Sequence, residues 1–562
     1  MLRLTEVKLP LDHPAEALQE AILKRLDIAA DALRGYTIFR RGYDARKSSQ
    51  IFLIYTLDIE LSAVDEADEA AEADEAAEAS LLQRLKDRPE GKHVALTPDM
   101  RYRYVAKAPP QLTERPVVIG LGPCGLFAGL ILAQMGFRPI ILERGKAVRE
   151  RTQDTWGLWR KGVLNPESNV QFGEGGAGTF SDGKLYSQIK DPQHHARKVL
   201  EEFVSAGAPE EILYVSKPHI GTFKLVGMIE RMRATIEALG GEIRFQSRVD
   251  DVQIETAADG SRALRGVRLA DGTCIETRHV VLAVGHSARD TFGMLHERGV
   301  FLEAKPFSIG VRIEHPQSLI DRARFGKFAG HALLGAADYK LVHHCANGRS
   351  AYSFCMCPGG TVVAAASEEG CVVTNGMSQY SRNERNANSA IVVGITTEDF
   401  PGDARTNPLA GIDFQREWES RAFIAGGSNY AAPSQRVGDF LAGRPSTALG
   451  SVQPSYTPGI HLTDLSQCLP DYVVSALREA LPAFERQIRG FSMDDALMTG
   501  VETRTSSPLR IQRDAGFQSI NTRGLFPAGE GAGYAGGILS AAVDGLKVAE
   551  AVALSMVGSE VR

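Results

Sequence analysis

The sequence predicts an α/β protein built on a parallel sheet, and three stretches carry that prediction. The first is V-V-I-G-L-G-P-C-G-L-F-A-G-L-I-L-A-Q-M-G-F, residues 117–137, followed by R-P-I-I-L-E ending at Glu143. The second is H-V-V-L-A-V-G-H, a buried-strand pattern that ends at Gly285. The third is G-L-F-P-A-G-E-G-A-G-Y-A-G-G-I-L-S, residues 524–540, a short strand, a glycine-rich turn and a helix that opens near Gly537.

In the first stretch three β-favouring residues run into Gly120, Gly122 and Gly125, and an apolar helix pattern continues to Gly136. With the second strand this is the strand–turn–helix–strand unit that binds a dinucleotide. Gly120 permits the tight turn, Gly122 lets the backbone approach a pyrophosphate, and Gly125 lets helix and strand pack closely. The start of the helix, Pro123, Cys124, Gly125 and Leu126, faces the phosphates. Glu143 lies 23 residues past Gly120, where an acid accepts from ribose hydroxyls. Arg144 opens a basic run, R-G-K-A-V-R-E-R, beside the same phosphates. A membrane-spanning helix is excluded, because a glycine-rich turn with Pro123 splits the apolar run.

At 562 residues the chain makes two or three domains. Seven scattered cysteines argue for a reducing compartment rather than a disulfide framework, and no basic n-region with an apolar run opens the chain. A cytoplasmic protein is expected. The net charge of −6 comes from one tract: residues 61–80 hold eight acids and no bases, and without them the chain stands at +2. A near-neutral body gives no support to a nucleic-acid partner.

Residues 1–61 read as a small N-terminal α+β domain. Leu2–Leu9 alternates like a strand, and Leu18, Ile22 and Leu26 recur at helical spacing after Pro14. Tyr36–Arg41 and Gln50–Glu60 read as strands. The loop R-R-G-Y-D-A-R-K-S-S between them reads as a solvated hairpin rather than an RNA contact, since residues 1–60 balance nine acids with nine bases. Residues 62–80, Ala/Asp/Glu-rich, read as a solvated linker with at most transient helix. Residues 81–114 connect it to the nucleotide fold through Pro109-Pro110.

Trp156–Leu164 has a short amphipathic helix pattern. Then Q-F-G-E-G-G-A-G-T-F-S-D-G-K-L, residues 171–185, interleaves five glycines with Phe172, Phe180 and Leu185. Exposed mobile loops rarely carry such aromatics, so the loop is expected to wrap a planar or anionic ligand through Gly176, Ala177, Gly178, Thr179, Ser181, Asp182 and Lys184. A helix over Leu225–Leu239 ends at Gly240-Gly241. A strand over Glu242–Val249 follows, then Gly266–Leu269 and the buried strand ending at Gly285.

The C-terminal run decides which dinucleotide binds. Ala528, Gly529 and Glu530 end a short strand, and Gly536, Gly537 and Ile538 open a helix. In flavoproteins with a dinucleotide fold, this element meets the first glycine turn, its acid accepts from the ribityl chain, and its helix N-terminus faces the flavin's pyrimidine edge. The implied cofactor is FAD.

The chain resembles a bacterial family of uncharacterised FAD-dependent dehydrogenases within the glutathione-reductase-like superfamily. The resemblance is carried by G-L-G-P-C-G-L-F-A-G with E-R-G, G-E-G-G-A-G-T-F-S-D-G-K-L, Y-S-F-C-M-C-P-G-G, N-G-M-S (375–378), G-V-E-T-R-T-S-S-P and P-A-G-E-G-A-G-Y-A-G-G-I, over about residues 110–555. It implies a Rossmann-type FAD-binding domain assembled from discontinuous segments, 115–190, 240–295 and 511–562. An inserted α+β substrate or cap domain would occupy 191–239 and 296–510. It also implies that the 175–184 loop lies along the isoalloxazine, with Val249 presenting backbone to the adenine and Gly285 near the adenosine. Cys124 stands where Ala is usual and Glu530 where Asp is common.

Candidates for the catalytic face are few. Cys355 and Cys357 share one face of a strand before Pro358-Gly359-Gly360, either as a redox or substrate-contacting pair or as two buried structural thiols. Glu502 and Arg504 alternate on a strand, as a substrate-carboxylate clamp or an internal ion pair. Lys184 is placed to stabilise charge on reduced flavin or substrate, or to pair with Asp182 or Glu174. His343-His344-Cys345 fits no standard zinc spacing, so no metal site is expected. The G-x-G-x-x-G spacing recurs at Gly173–Gly178 and Gly531–Gly536, but inside the 171–185 loop and the C-terminal turn rather than in a second strand–turn–helix–strand unit; NAD(P)H, if it is the reductant, would bind transiently in the substrate cleft. The expected function is an FAD-dependent oxidoreductase acting on a small molecule. An RNA-modifying flavoenzyme, or a flavin-bound sensor that captures a protein partner or electron donor through its N-terminal domain, are the alternatives.

Overall fold

In the computed structural model, which describes residues 1–62 and 70–558, the parallel sheet is made from the shortest apolar runs. Its strands are β1 (Val117–Ile119), β2 (Ile140–Leu142), β3 (Glu242–Arg244), β4 (Val280–Leu282) and β5 (Leu525–Pro527). All pair in parallel, in the order β5-β4-β1-β2-β3. Apart from β3 they are buried along their length, which is why they read as continuous apolar runs and not as alternation.

Three helices cover one face: α1 (Pro123–Gln134), α2 (Thr222–Ala238) and α3 (Ile538–Met556). Every residue of α1 from Cys124 to Ala133 is buried. A helix enclosed on all sides has no polar face to display, so its sequence resembles a membrane span. The other face is covered by a three-stranded antiparallel sheet (Val249–Thr256, Arg262–Leu269, Cys274–Glu276) and the helix Arg289–Glu297. Among the described residues no helix is long and apolar enough to cross a membrane.

Three expected boundaries are corrected first. Residues 191–239, expected in the cap, pack on the nucleotide domain: Val199 and Phe203 from the helix His195–Ser205, and Met228, Met232 and Ile236 from α2, share a core with α1 and α3. Expected strand Glu242–Val249 stops at Arg244, and Val249 begins a strand of the antiparallel sheet. The helix expected over Trp156–Leu164 spans Val148–Lys161.

The cap is a seven-stranded sheet in the order Val342–His344, Ser350–Cys357, Asn386–Gly394, Ser308–Pro316, Leu497–Glu502, Ala432–Arg436, Ile460–Leu462. The helix Asp471–Glu485 packs on it, burying Val473, Leu477, Leu481 and Phe484. The N-terminal domain is a four-stranded sheet of Leu33–Asp44, Phe52–Leu61, Leu2–Pro10 and Val94–Leu96. Its buried side chains are continuous with the cap core, so the two are not independent units.

The acidic tract is a second correction. Residues 63–69 lie outside the described residues, but Ala70–Leu85 is a helix, not a linker. Ala and Glu favour helix, and Leu81 and Leu85 at its end are buried against the N-terminal sheet. The connecting segment supplies Val94–Leu96, the fourth strand of that sheet. The basic hairpin expected to be solvated is docked at its base, while its tip, Arg46 to Gln50, is exposed as expected. The Arg41 amide donates to the Tyr214 carbonyl at 2.6 Å, the Ser216 amide donates to the Arg41 carbonyl at 2.9 Å, and Tyr43 packs edge-to-face on Phe325 at 5.7 Å.

Candidate cofactor and active site

A single long cleft runs between the nucleotide sheet and the cap, with about 1520 Å³ of space counting its open mouth. Its floor is the glycine turn. Gly120 has φ +96°, and a Cβ there would stand 2.4 Å from the Ala283 carbonyl oxygen. A Cβ on Gly125 would stand 1.9 Å from the Gly120 oxygen. Gly122 differs: a Cβ there would meet only Gly176 Cα, at 3.7 Å, so the protein alone does not demand glycine.

Glu143 ties this turn to the second motif. Its carboxylate accepts from the amides of Leu121 (2.8 Å), Gly145 (2.8 Å) and Gly173 (3.0 Å). The 171–185 loop holds Gly173, Gly175, Gly176 and Gly183 at positive φ. It is pinned from beneath by Arg151, which is fully buried and donates to the carbonyls of Asn169, Val170 and Glu174, each at 2.7 Å. Burial pulls the Arg151 guanidinium down to about 10, with Glu143 and Glu174 opposing. Nothing local marks this role, since Arg151 belongs to the basic run 144–151 that is expected beside the phosphates.

Most expected cofactor contacts line the cleft: Gly120, Gly122, Pro123, Cys124, Glu143, Arg144, Gly176, Ala177, Gly178, Ser181, Asp182, Lys184, Val249, Gly285, Gly529, Glu530, Gly536, Gly537 and Ile538. Gly125, Leu126 and Thr179 do not. Gly125 packs on the turn, Leu126 is in the core, and the Thr179 hydroxyl lies against Arg151. At one end of the lining stand Glu143, Ser247, Arg248 and Val249; elsewhere along it stand Glu530, the N-terminus of α3, Lys184 and Cys355.

Residues that sequence reasoning did not single out include Arg248, His286, Phe354, Asn375 and Thr505. His286 follows Gly285, and Asn375 opens N-G-M-S, so both adjoin stretches that had been noticed. His286 Nδ1 is 3.2 Å from a Glu530 carboxylate oxygen, and its buried Nε2 has no protein partner.

The catalytic candidates separate into two groups. Lys184 and Cys355 line the cleft, and Cys357 is buried behind Cys355. The Lys184 ammonium donates to the Met356 carbonyl and lies 3.8 Å from Asp182. Asp182 is itself engaged by Arg382 at 2.9 Å; burial works to raise its carboxyl, and Arg382 and Lys184 hold it below the usual range. Glu502 and Arg504, expected to act as a pair, have different partners. Glu502 accepts two bonds from buried Arg312, at 2.9 and 3.0 Å, and one from the Thr374 hydroxyl at 3.5 Å, and is away from the cleft lining. Arg504 lines the cleft but donates to Glu419 (2.9 Å), Ser367 (2.6 Å) and Ser287 (3.1 Å).

A glycine turn under a helix start, an acid at the end of the second strand, and a distant second helix start over the same cleft define a dinucleotide-binding flavoprotein fold. Residues 306–505 match the family described as FAD-dependent protein, C-terminal domain-like, and residues 1–60 match a domain of unknown function. An uncharacterised protein of Clostridium beijerinckii is 46% identical over 550 residues, covering 98% of each chain. The chain belongs to this family of FAD-dependent proteins. Among solved structures, a flavoprotein/dehydrogenase from Cytophaga hutchinsonii is 12% identical with a TM-score of 0.35, covering 80% of each chain. A glycine oxidase from Geobacillus kaustophilus is also 12% identical, with a TM-score of 0.34, covering 80% of this chain and 96% of that one. Likeness so distant carries no argument about reaction or substrate.

Proposed function

We propose that the protein is an FAD-dependent oxidoreductase that passes an electron pair between tightly held FAD and a small molecule. The observation that carries this is the continuity of one cleft past three separate backbone cradles: the turn at Gly120–Gly122, the loop at Gly176–Lys184, and the α3 start with Glu530. FAD is long enough to need all three; a nucleotide without a second ring system is not.

In this reading Glu143 and the backbone at Val249 hold the adenosine end, and Arg248 adds a cation there. The amides at the start of α1 take the pyrophosphate, where their partial positive charge favours an anion. Glu530 accepts from the ribityl hydroxyls and is itself steadied by His286. The α3 N-terminus and the 176–184 loop surround the flavin, which supplies the electron chemistry when bound. Lys184 holds positive charge beside it, and burial under the cap keeps water out.

NAD(P)H as a transient reductant entering from the cap side belongs to the same proposal, as does a cytoplasmic setting. A protein partner or electron donor at the N-terminal domain would meet its outer face or the exposed hairpin tip, because Arg41 and Tyr43 at the base of the hairpin are held by the body. That docking, with the near-neutral body charge, weighs against nucleic acid. The test is anaerobic mixing of the FAD-loaded protein with NADH, NADPH and a broad panel of small reductants and oxidants. At least one should bleach or restore the flavin absorbance within a turnover time. A flavin that stays oxidised against the whole panel would overturn the reading in favour of a sensor.

A further inference from the structure

The cap wall of the cleft is irregular where it carries its two thiols. In the strand Ser350–Cys357, Phe354 lies opposite Ala390 and Cys357 opposite Asn388. Three steps on one strand therefore match two on its neighbour, a bulge, and Cys355 within it has φ +45°. A left-handed non-glycine residue is strained and persists only where its surroundings impose it. In a regular strand, residues two apart are separated by about 6.6–6.8 Å, the outer limit for a disulfide. The bulge bends the strand, and the Cys357 thiol donates to the Cys355 carbonyl at 3.3 Å.

The charges around the thiols do not cancel. Arg312 donates to the Cys355 carbonyl at 2.9 Å and Lys184 to the Met356 carbonyl, so the peptide that bears the thiols fixes both cations. Arg382 stands behind them on Asp182. Against these three cations are two carboxylates, Asp182 and Glu502, the latter bidentate on Arg312. Asp338, farther out, is taken up by Lys217 at 2.6 Å. His219 is pushed down by burial and Arg382, and Tyr186 is pushed up by burial, so neither adds charge at neutral pH. One positive charge is left, and the two cysteines are the groups beside Lys184 that can answer as an anion.

Resting on the FAD reading above, we propose that Cys355 and Cys357 are a redox-active dithiol that exchanges an electron pair with the FAD in the cleft. The Cys355 thiolate and the Cys357 thiol lose two electrons and one proton and form an S–S bond. Oxidised FAD takes both electrons and that proton and becomes its anionic reduced form. Negative charge passes from sulfur to flavin, still facing Lys184, and the reverse step regenerates thiolate and thiol. Arg312 and Lys184, held on the Cys355 and Met356 carbonyls, favour a thiolate at Cys355, which lines the cleft, while Cys357 is fully buried. Cys355 would thus be the thiol in contact with flavin and Cys357 the resolving thiol.

The experiment is an anaerobic dithionite titration of the air-oxidised holoprotein in a Cys274→Ser background, which removes the exposed cysteine. Four electrons per FAD are expected, falling to two in Cys357→Ala and in Cys355→Ser. Alkylation and peptide mass mapping should find both thiols blocked before titration and free after it. Cys357→Ala, which keeps the Cys355 thiolate, should also gain a long-wavelength absorbance from thiolate beside oxidised flavin. A wild-type count of two electrons, or a count of four that survives Cys357→Ala, overturns the dithiol while leaving the flavin reading intact. A colourless holoprotein preparation overturns the cofactor reading itself, and this proposal with it.

Discussion

His315 shows how one residue sets a pH limit for the fold. It is fully buried in the cap, its Nε2 donates to the Phe491 carbonyl at 2.6 Å, and its Nδ1 has no partner. Burial pulls the imidazole down from 6.5 to about 4, with the Phe491 carbonyl and Glu485 opposing. Between those values the unfolded chain binds a proton that the folded chain refuses. Stability therefore rises with pH through that window and falls as pH drops from 6.5 toward 4, by on the order of 3 kcal/mol in all. His315→Gln keeps an N–H for Phe491 and removes the titration. Its thermal midpoint should change less than wild type's between pH 6.5 and 4.5; equal losses would mean that another group sets the acid limit. Other residue-scale facts were closed to sequence reading for a simple reason. Glu502 and Arg504 are two apart and invite pairing, but their partners, Arg312 and Glu419, lie 190 and 85 residues away. Which of several acids meets which arginine is decided by the sheet order, and nothing local encodes it.

At the scale of elements, the start of α1 is the sharpest test of the cofactor's placement. Gly122 has φ −75°, which any residue adopts, and space for a Cβ. Gly122→Val should fold, with the thermal midpoint of the cofactor-free protein close to wild type. It should bind FAD at least about a hundredfold more weakly, a loss of roughly 2.7 kcal/mol, because the side chain enters the space left for pyrophosphate. Retention of full flavin absorbance after dialysis would move the pyrophosphate elsewhere. Gly120 is a different kind of glycine: any Cβ there strikes the Ala283 backbone, so its loss damages the turn with or without ligand. The spacing of these glycines was legible because a nucleotide turn is local; Gly120 to Glu143 contains the whole signal. The helix Ala70–Leu85 was not legible as structure, since repelling acids dominate its composition and only Leu81 and Leu85 mark a buried side. The helices on either side of residue 210 pack on the nucleotide domain and not in the cap, and their sequence does not say so for a related reason. Their apolar stripes say that they pack, but not against which sheet.

For the whole molecule, the question is what holds the cap over the cleft, and the charge cluster at Glu419 is the joint. Arg289 opens a helix of the nucleotide domain, Glu419 lies in the cap helix Ala410–Ala425, and Arg504 sits where the chain leaves the cap sheet. Glu419 meets Arg289 at 2.8 Å and Arg504 at 2.9 Å, accepts from Thr503 at 2.7 Å, and is fully buried. Burial works to raise its carboxyl, but the two guanidiniums hold it well below the usual carboxylate range. Its folded value is depressed, so its contribution is complete above the unfolded value near 4.5 and is lost only as pH falls through the lower folded one. The joint is therefore intact across the neutral range, and acid sensitivity near pH 5 belongs to the buried imidazoles, His315 foremost and His219 with it. Glu419→Ala leaves two buried guanidiniums without their shared counter-charge and should cost about 3–5 kcal/mol. Because Arg504 also lines the cleft, the loss should reach the cofactor. Flavin fluorescence should report FAD release at a lower temperature or denaturant concentration than in wild type, and before the nucleotide sheet itself unfolds by circular dichroism. Glu419→Gln, which keeps acceptors but not charge, should fall between the two. If Glu419→Ala releases FAD and unfolds in one unshifted transition, the cap is held by its apolar contacts alone and the buried ion cluster adds nothing to closure.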